Sequence, residues 1–227
     1  MATRLAAGNN AKIGIKPNIA GKLYTTGYLY LTEMSAESAI EFTNSVATQE
    51  VYGTTTAKNV QGIDEASFSC TAFLANTTGM VHRYTVGTPG SGYTSAPTVA
   101  LTGTATTVAT AIAEVDQALG TVTAVWPTHF GEGYASAPTV AFSGGAGSGA
   151  AATAVIGGDT LYTLDAMIRS GLYLKVEFSP QGGTTSSLRT RYTFDITREA
   201  FSITPAVNGV ISIAISGKAE NIVVDTW

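Results

Sequence analysis

The chain has 227 residues, a net charge of −4 and a pI near 5.1, and only 12% of it is charged, about half the roughly 25% usual in soluble globular proteins. That balance excludes a global field that attracts nucleic acid. The single cysteine, Cys70, excludes an intrachain disulfide, and no apolar run reaches the roughly 18 residues of a membrane span, so no membrane insertion by this chain is expected.

Sparse charge with abundant Thr, Val and Tyr predicts strands and a large neutral surface that something covers, most simply another copy of the chain. Charge is unevenly placed. Residues 1–32 carry Arg4, Lys12, Lys16 and Lys22 and no acid, whereas residues 33–65 carry Glu33, Glu37, Glu41, Glu50, Asp64 and Glu65 against Lys58 alone. The two segments are expected to meet across neighbouring subunits, where complementary charge fixes register more than it adds affinity. After Arg4, Leu5-Ala6-Ala7 runs into Gly8-Asn9-Asn10 with no apolar signal-peptide core, so synthesis in a cytoplasm is expected.

Residues 12–16 and 23–31 read as extended, and 35–42 as a strand. Residues 43–62, rich in Thr, Asn and Gly, read as a long exposed hairpin or loop. Ala66, Phe68, Cys70, Ala72 and Leu74 then alternate with Ser67, Ser69, Thr71 and Phe73, the period of a half-buried strand.

A repeat follows. Gly90-Ser-Gly-Tyr-Thr-Ser-Ala-Pro-Thr-Val-Ala-Leu-Thr-Gly103 returns as Gly131-Glu-Gly-Tyr-Ala-Ser-Ala-Pro-Thr-Val-Ala-Phe-Ser-Gly144, identical at ten of fourteen positions. Its glycines permit tight turns, Tyr93 and Tyr134 can pack over them, and Pro97 and Pro138 precede strands, where a missing N–H does least harm. Residues 110–115 and 121–126 read as strands joined near Asp116 and Gly120. Residues 81–157 hold only Arg83, Glu114, Asp116 and Glu132 as charged groups. That shift marks them as an inserted two-repeat β domain, leaving 1–80 and 158–227 as one interrupted β core.

Beyond the insertion, Asp159 or Thr160 caps a short helix with an apolar face of Leu161, Leu164, Ile168 and Leu172, and Gly171 stops it. Leu172, Leu174, Val176 and Phe178 oppose Tyr173, Lys175 and Glu177, and Pro180-Gln-Gly-Gly183 makes a turn. Leu188, Thr190, Tyr192, Phe194 and Ile196 oppose Arg189, Arg191, Thr193 and Asp195. Asn208-Gly209 signals a hairpin, and Ile211, Ile213 and Ile215 line the last strand. The expected fold is all-β with one short helix, a sandwich or barrel.

Chemistry is hard to assemble from these residues. Cys70 with His82 or His129 would make a thiol and base, but the alternation buries Cys70, where it acts as a small apolar residue. Gly144-Gly-Ala-Gly-Ser-Gly149 lacks the Gly-Lys-Ser or Gly-Lys-Thr of a phosphate loop and reads as a turn between strands. Asp64, Glu65, Asp159 and Asp165 are scattered carboxylates. Arg189 and Arg191 share a strand face and could grip phosphate; a solvated face or an intersubunit salt bridge is the commoner role. The expectation is a non-enzymatic protein with no catalytic, cofactor or metal site and no bound cofactor.

The order Ser67-Phe-Ser-Cys-Thr-Ala-Phe-Leu74, the helix at 159–171, Leu172-Tyr-Leu-Lys-Val-Glu-Phe178, Arg191-Tyr-Thr-Phe-Asp-Ile-Thr197 and Val210-Ile-Ser-Ile-Ala-Ile-Ser-Gly-Lys-Ala-Glu220 resembles the tail tube (major tail) proteins of tailed bacteriophages. The resemblance covers residues 33–80 and 159–227. The Gly-x-Gly-Tyr-x-Ser-Ala-Pro-Thr-Val unit is similar to repeats in several phage structural proteins, fibres among them. The family implies a virion structural subunit whose six copies close a ring, with rings stacked into the hollow conduit for DNA. Implied partners are the chain itself, other tail proteins such as the terminator, tip or tape measure, and DNA as non-specific cargo in the lumen. The insertion is then expected on the tube's outer surface. Competing readings are a capsid decoration or tail-fibre protein, and a carbohydrate-binding module using Tyr93, Tyr134 and Trp126 as stacking platforms.

Overall fold

Alternation of apolar and polar residues builds nearly the whole molecule from strands. The computed structural model describes residues 3–6, 12–31, 35–49, 58–74, 79–157, 160–171, 173–180, 190–205 and 211–226. In chain order these give β1 (Thr3–Ala6), β2 (Lys12–Asn18), β3 (Lys22–Tyr24), β4 (Leu29–Tyr30), β5 (Ser35–Gln49), β6 (Lys58–Leu74), β7 (Met80–Ser91), β8 (Thr98–Thr102) and β9 (Thr110–Asp116). Then come β10 (Thr121–His129), β11 (Thr139–Ser143), β12 (Ser148–Gly157), α1 (Thr160–Arg169), β13 (Tyr173–Ser179), β14 (Thr190–Pro205) and β15 (Ile211–Thr226). Among the described residues the fold is all-β with one short helix.

The larger sheet has the order β1-β5-β6-β15-β14-β13-β2-β4 and is antiparallel throughout. One face is apolar. Ile13 and Ile15 of β2, Phe68 and Cys70 of β6, Leu174, Val176 and Phe178 of β13, Phe194 and Ile196 of β14, and Ile213 and Ile215 of β15 are all buried there. Phe68 meets Phe178 and Phe194 edge-on, with ring centroids 6.0 and 5.2 Å away, a geometry that adds to area burial. Each such side chain contributes about 1.5–3 kcal/mol when taken out of water.

The helix closes this face. Leu164, Met167 and Ile168 are fully buried against the sheet, spaced as one helical stripe. Met167 belongs to that stripe although the expected face did not include it. Asp159 and Leu172 lie outside the described residues. Past Arg169 the chain turns at Gly171, where an added Cβ would stand 2.8 Å from Cγ1 of Ile19.

The second sheet runs β10-β9-β8-β11-β12-β7, with β3 on part of the edge of β9. It curls until β7 lies beside β10, where the Val81 amide donates to the Phe130 carbonyl at 2.8 Å, giving a half-barrel. Tyr93, Val115, Val122 and Val125 form one of its cores, and Val81, Ala109, Tyr134 and Ala154 another. The chain enters on β7 and leaves on β12 at adjacent points, Met80 pairing with Gly157. Met80 and Phe130 reach into the core of the larger sheet.

The repeat explains the centre of this half-barrel. β8 and β11 are equivalent strands of the two copies and pair with each other. Each tyrosine packs on glycines near the other copy's strand. Tyr93 lies under Gly145 and Gly147, whereas Tyr134 lies against Gly103, and its hydroxyl accepts a bond from the Ala109 amide at 2.9 Å.

Candidate assembly surface

The register of the larger sheet leaves one part of it alone. β15 pairs β6 only as far as Ala66, opposite Ala219, and β1 pairs β5 only as far as Phe42, opposite Thr3. Beyond those points residues 43–49 of β5 pair only with 58–65 of β6, from Thr43 opposite Glu65 to Gln49 opposite Lys58, with a bulge between Asn44 and Val46. This is a two-stranded ribbon roughly 20–25 Å long at the usual rise per residue. Among the described residues neither of its outer edges has a strand partner. The tip, 50–57, lies outside the described residues.

A ribbon of this kind is marginal in water on its own, and its bare edges offer rows of N–H and C=O groups to another chain. The sequence reading of 43–62 as a long hairpin or loop resolves to this hairpin. The expected meeting of basic and acidic segments across subunits has a counterpart inside the chain: β1 pairs with β5 and sets Arg4 opposite Glu41. Intrachain pairing brings the two together because β1 is the edge strand beside β5.

The face of the larger sheet away from the core is polar, and two of its cations are paired with acids of the same chain. Arg191 bonds Asp225 at 2.7 Å and lies 3.6 Å from Glu177, whose other oxygen accepts from Tyr30 Oη at 3.0 Å. Lys175 bonds Asp195 at 3.2 Å, and Asn18 and Asn221 donate to the same carboxylate at 2.7 and 3.1 Å. Lys12 sits 4.0 Å from the ring centre of Tyr30 and Lys16 4.8 Å from that of Tyr28. Both rings fold over Gly14, where a Cβ would come within 2.7 Å of Tyr28 Cβ.

Burial, and then Lys175, lower the Lys16 pKa. Burial and Glu177 push the Tyr28 hydroxyl up to about 12. The Asp225 bond raises Arg191 further. Glu177 and Asp195, read from alternation as ordinary outward-facing polar residues, are 4% and 8% exposed because this network covers them. Arg191 is correspondingly part of an intrachain network. Arg189 lies outside the described residues.

The remaining candidates scatter. Cys70 is 3% exposed, and burial pushes its thiol up to about 12, so it packs as a small apolar residue. The His82 carbonyl accepts a bond from Thr163 Oγ1, and His129 Nδ1 accepts from the Gly131 amide at 3.0 Å. Asp165 pairs with Arg169 one helical turn on, at 2.7 Å, a largely exposed pair that contributes little. Residues 144–147 form the turn between β11 and β12. Among the described residues no three His, Cys, Asp or Glu side chains converge.

Two of the three proposed stacking platforms are ruled out. Tyr93 and Tyr134 are 4% and 3% exposed, held under the glycine turns, with no free face to offer a sugar.

One group escaped the sequence reading. Glu114 is 4% exposed, yet it accepts from Trp126 Nε1 at 2.8 Å, Thr123 Oγ1 at 2.8 Å and Tyr24 Oη at 3.1 Å, with Lys22 at 3.9 Å. It ties β3 and β10 to β9. The available signal was a lone acid inside the apolar run Ala111-Ile-Ala-Glu-Val115. No family model matches the chain, and no curated protein matches it.

Proposed function

We propose that this chain is a structural subunit that polymerises head to tail, the tail tube subunit of a tailed bacteriophage, whose rings, six copies each, stack into a conduit for DNA. The observation that carries this reading is the β5–β6 ribbon, which leaves the sheet with no strand on either edge among the described residues. A neighbouring subunit supplies the missing strand partner, and because the contact joins different surfaces of two copies it propagates into an open filament. About 1,000 Å² of buried surface is needed for each stable contact, which a ribbon of this length together with a sheet edge can supply.

The polar face of the larger sheet suits a DNA path. Its Lys175 and Arg191 are already bonded to Asp195, Glu177 and Asp225. Each phosphate that a free cation neutralised would add retention, so pairing these two cations lowers the wall's hold on DNA. The second sheet then belongs on the outside, and the terminator, tip and tape-measure proteins are the partners at the tube's ends. The chain is a virion component in this reading and carries no catalysis.

Negative-stain microscopy tests the proposal. The purified chain is expected to form rings or tubes at high concentration. A variant in which Asn-Gly replaces residues 45–63, a pair suited to a tight hairpin turn, is expected to stay folded and monomeric. A parent chain that remains strictly monomeric, or a shortened variant that still forms normal tubes, overturns it.

A further inference from the structure

Where α1 leans on the outside of the half-barrel, β7 and β10 leave a cleft of about 340 Å³, within the lower range of small-ligand sites. Its lining is unusual in composition. Trp126 and Tyr162 supply aromatic faces, Arg83 supplies a guanidinium and Thr85 a hydroxyl, while the Thr123 and Thr163 hydroxyls are bonded to Glu114 and the His82 carbonyl; among the described residues no carboxylate lines it.

The aromatic surface is prepared in advance. The Glu114 carboxylate behind Trp126 takes its indole N–H at 2.8 Å and fixes the ring's orientation. Tyr162 is 56% exposed on the first turns of α1, with the Arg83 guanidinium 5.8 Å from its ring centre. Holding a large apolar ring outward costs free energy that a ligand's apolar face would recover. Tyr84 also borders the cleft, and its hydroxyl is buried with no hydrogen-bond partner among the described residues.

An aromatic plane beside a guanidinium and a threonine hydroxyl matches a sugar ring, which has an apolar C–H face and a polar edge. A planar guanidinium with no acid among the described lining residues matches a carboxylate. A nucleobase can stack on the same plane but carries no carboxylate for the guanidinium, and among the described residues the cleft has no Asn or Gln to read an adenine edge. We propose that this cleft binds an acidic saccharide, one pyranose ring stacked on Trp126 and its carboxylate on Arg83. The site lies within the second sheet and α1 and does not depend on the tube reading.

The chain has two tryptophans, so Trp227→Phe leaves Trp126 as the sole reporter. Its emission is titrated with trigalacturonate, with neutral trigalactose and with uridine monophosphate. Trigalacturonate is expected to change the emission with a dissociation constant below about 1 mM, and the other two to do so at least about tenfold more weakly. Arg83→Ala and Tyr162→Ala, both at exposed positions, are each expected to weaken trigalacturonate about tenfold with the melting temperature unchanged. No response to trigalacturonate, equal binding of the neutral sugar, tighter binding of the nucleotide, or affinity indifferent to both substitutions would each overturn the proposal.

Discussion

Ala100 stands directly opposite Ala141 where β8 meets β11, and the register is symmetric about that pair, with Thr98 facing Ser143 and Thr102 facing Thr139. The two copies of the repeat are thus related by a local twofold axis. The duplicated Tyr-x-Ser-Ala-Pro-Thr-Val unit completes its core by reciprocal packing of Tyr93 and Tyr134.

Adjacent glycines in the second copy separate two costs. Gly144 and Gly145 have φ of +78° and +76°, but a Cβ on Gly144 would meet nothing within 4 Å, whereas one on Gly145 would stand 2.6 Å from the Ser95 carbonyl oxygen. Gly144→Ala is expected to lose about 1–2 kcal/mol, the price of a left-handed alanine. Gly145→Ala should lose about 2 kcal/mol more, because backbone must move. Urea unfolding of both variants measures the difference; equal losses would show that the Ser95 contact relaxes freely.

Trp126→Phe keeps most of the ring but leaves a buried carboxylate oxygen of Glu114 without its indole donor. A loss of about 1–3 kcal/mol is expected, with the far-ultraviolet circular dichroism unchanged. Because Thr123 and Tyr24 still donate to that carboxylate, the loss should grow in the double variant with Tyr24→Phe.

The Cys70 thiol, held near pKa 12 by burial, is expected to resist maleimide labelling in native buffer at pH 8 and to label fully in denaturant, since the thiolate is the nucleophile. Cys70→Ala should cost about 1–2 kcal/mol from lost packing and leave the proposed assembly unaffected. Rapid native labelling would contradict the packing described for β6.

Asp116 gives a pH-dependent contribution with a definite sign. Its bond from Lys22 at 3.0 Å, with the Leu119 and Ala118 amides, holds its pKa below the usual carboxylate value. A depressed carboxylate stabilises the fold above its unfolded pKa of about 3.9 and loses that contribution as pH falls through the folded value. Asp116→Asn is expected to flatten part of the melting-temperature decline below pH 4. Parent and variant should diverge most at neutral pH and converge in acid.

Period-two patterning made the strands legible because one face of each meets a core. β6, β13, β14 and β15 follow the alternation of Phe68, Val176, Phe194 and Ile213. The turns around Gly90, Gly131 and Gly144 were legible because left-handed backbone favours glycine. The interior acids were not. Glu114, Glu177 and Asp195 occupy outward positions of their strands, and only the side chains of distant segments, Tyr24, Tyr30 and Asn18 among them, take them out of water. Local alternation carries no record of such covering. The same limit hid the bond between β3 and β9, and with it the cleft whose aromatic wall Glu114 orients.

Besides its packing contacts, the second sheet is tied to the rest of the chain by backbone at two separated places. Its entry and exit, Met80 and Gly157, are neighbours on β7 and β12, and Lys22–Tyr24 grips β9 elsewhere. A body attached by one root can swivel about it, whereas two attachments fix its orientation and turn any sideways drag into torque on the wall that carries it. Force applied along β7 and β12 from their shared root would peel their hydrogen bonds in sequence, while force across β3 would have to shear its three residue pairs together. The root is therefore the direction that peels, and a chain pulled from there is expected to open β7 from β12 before β3 shears.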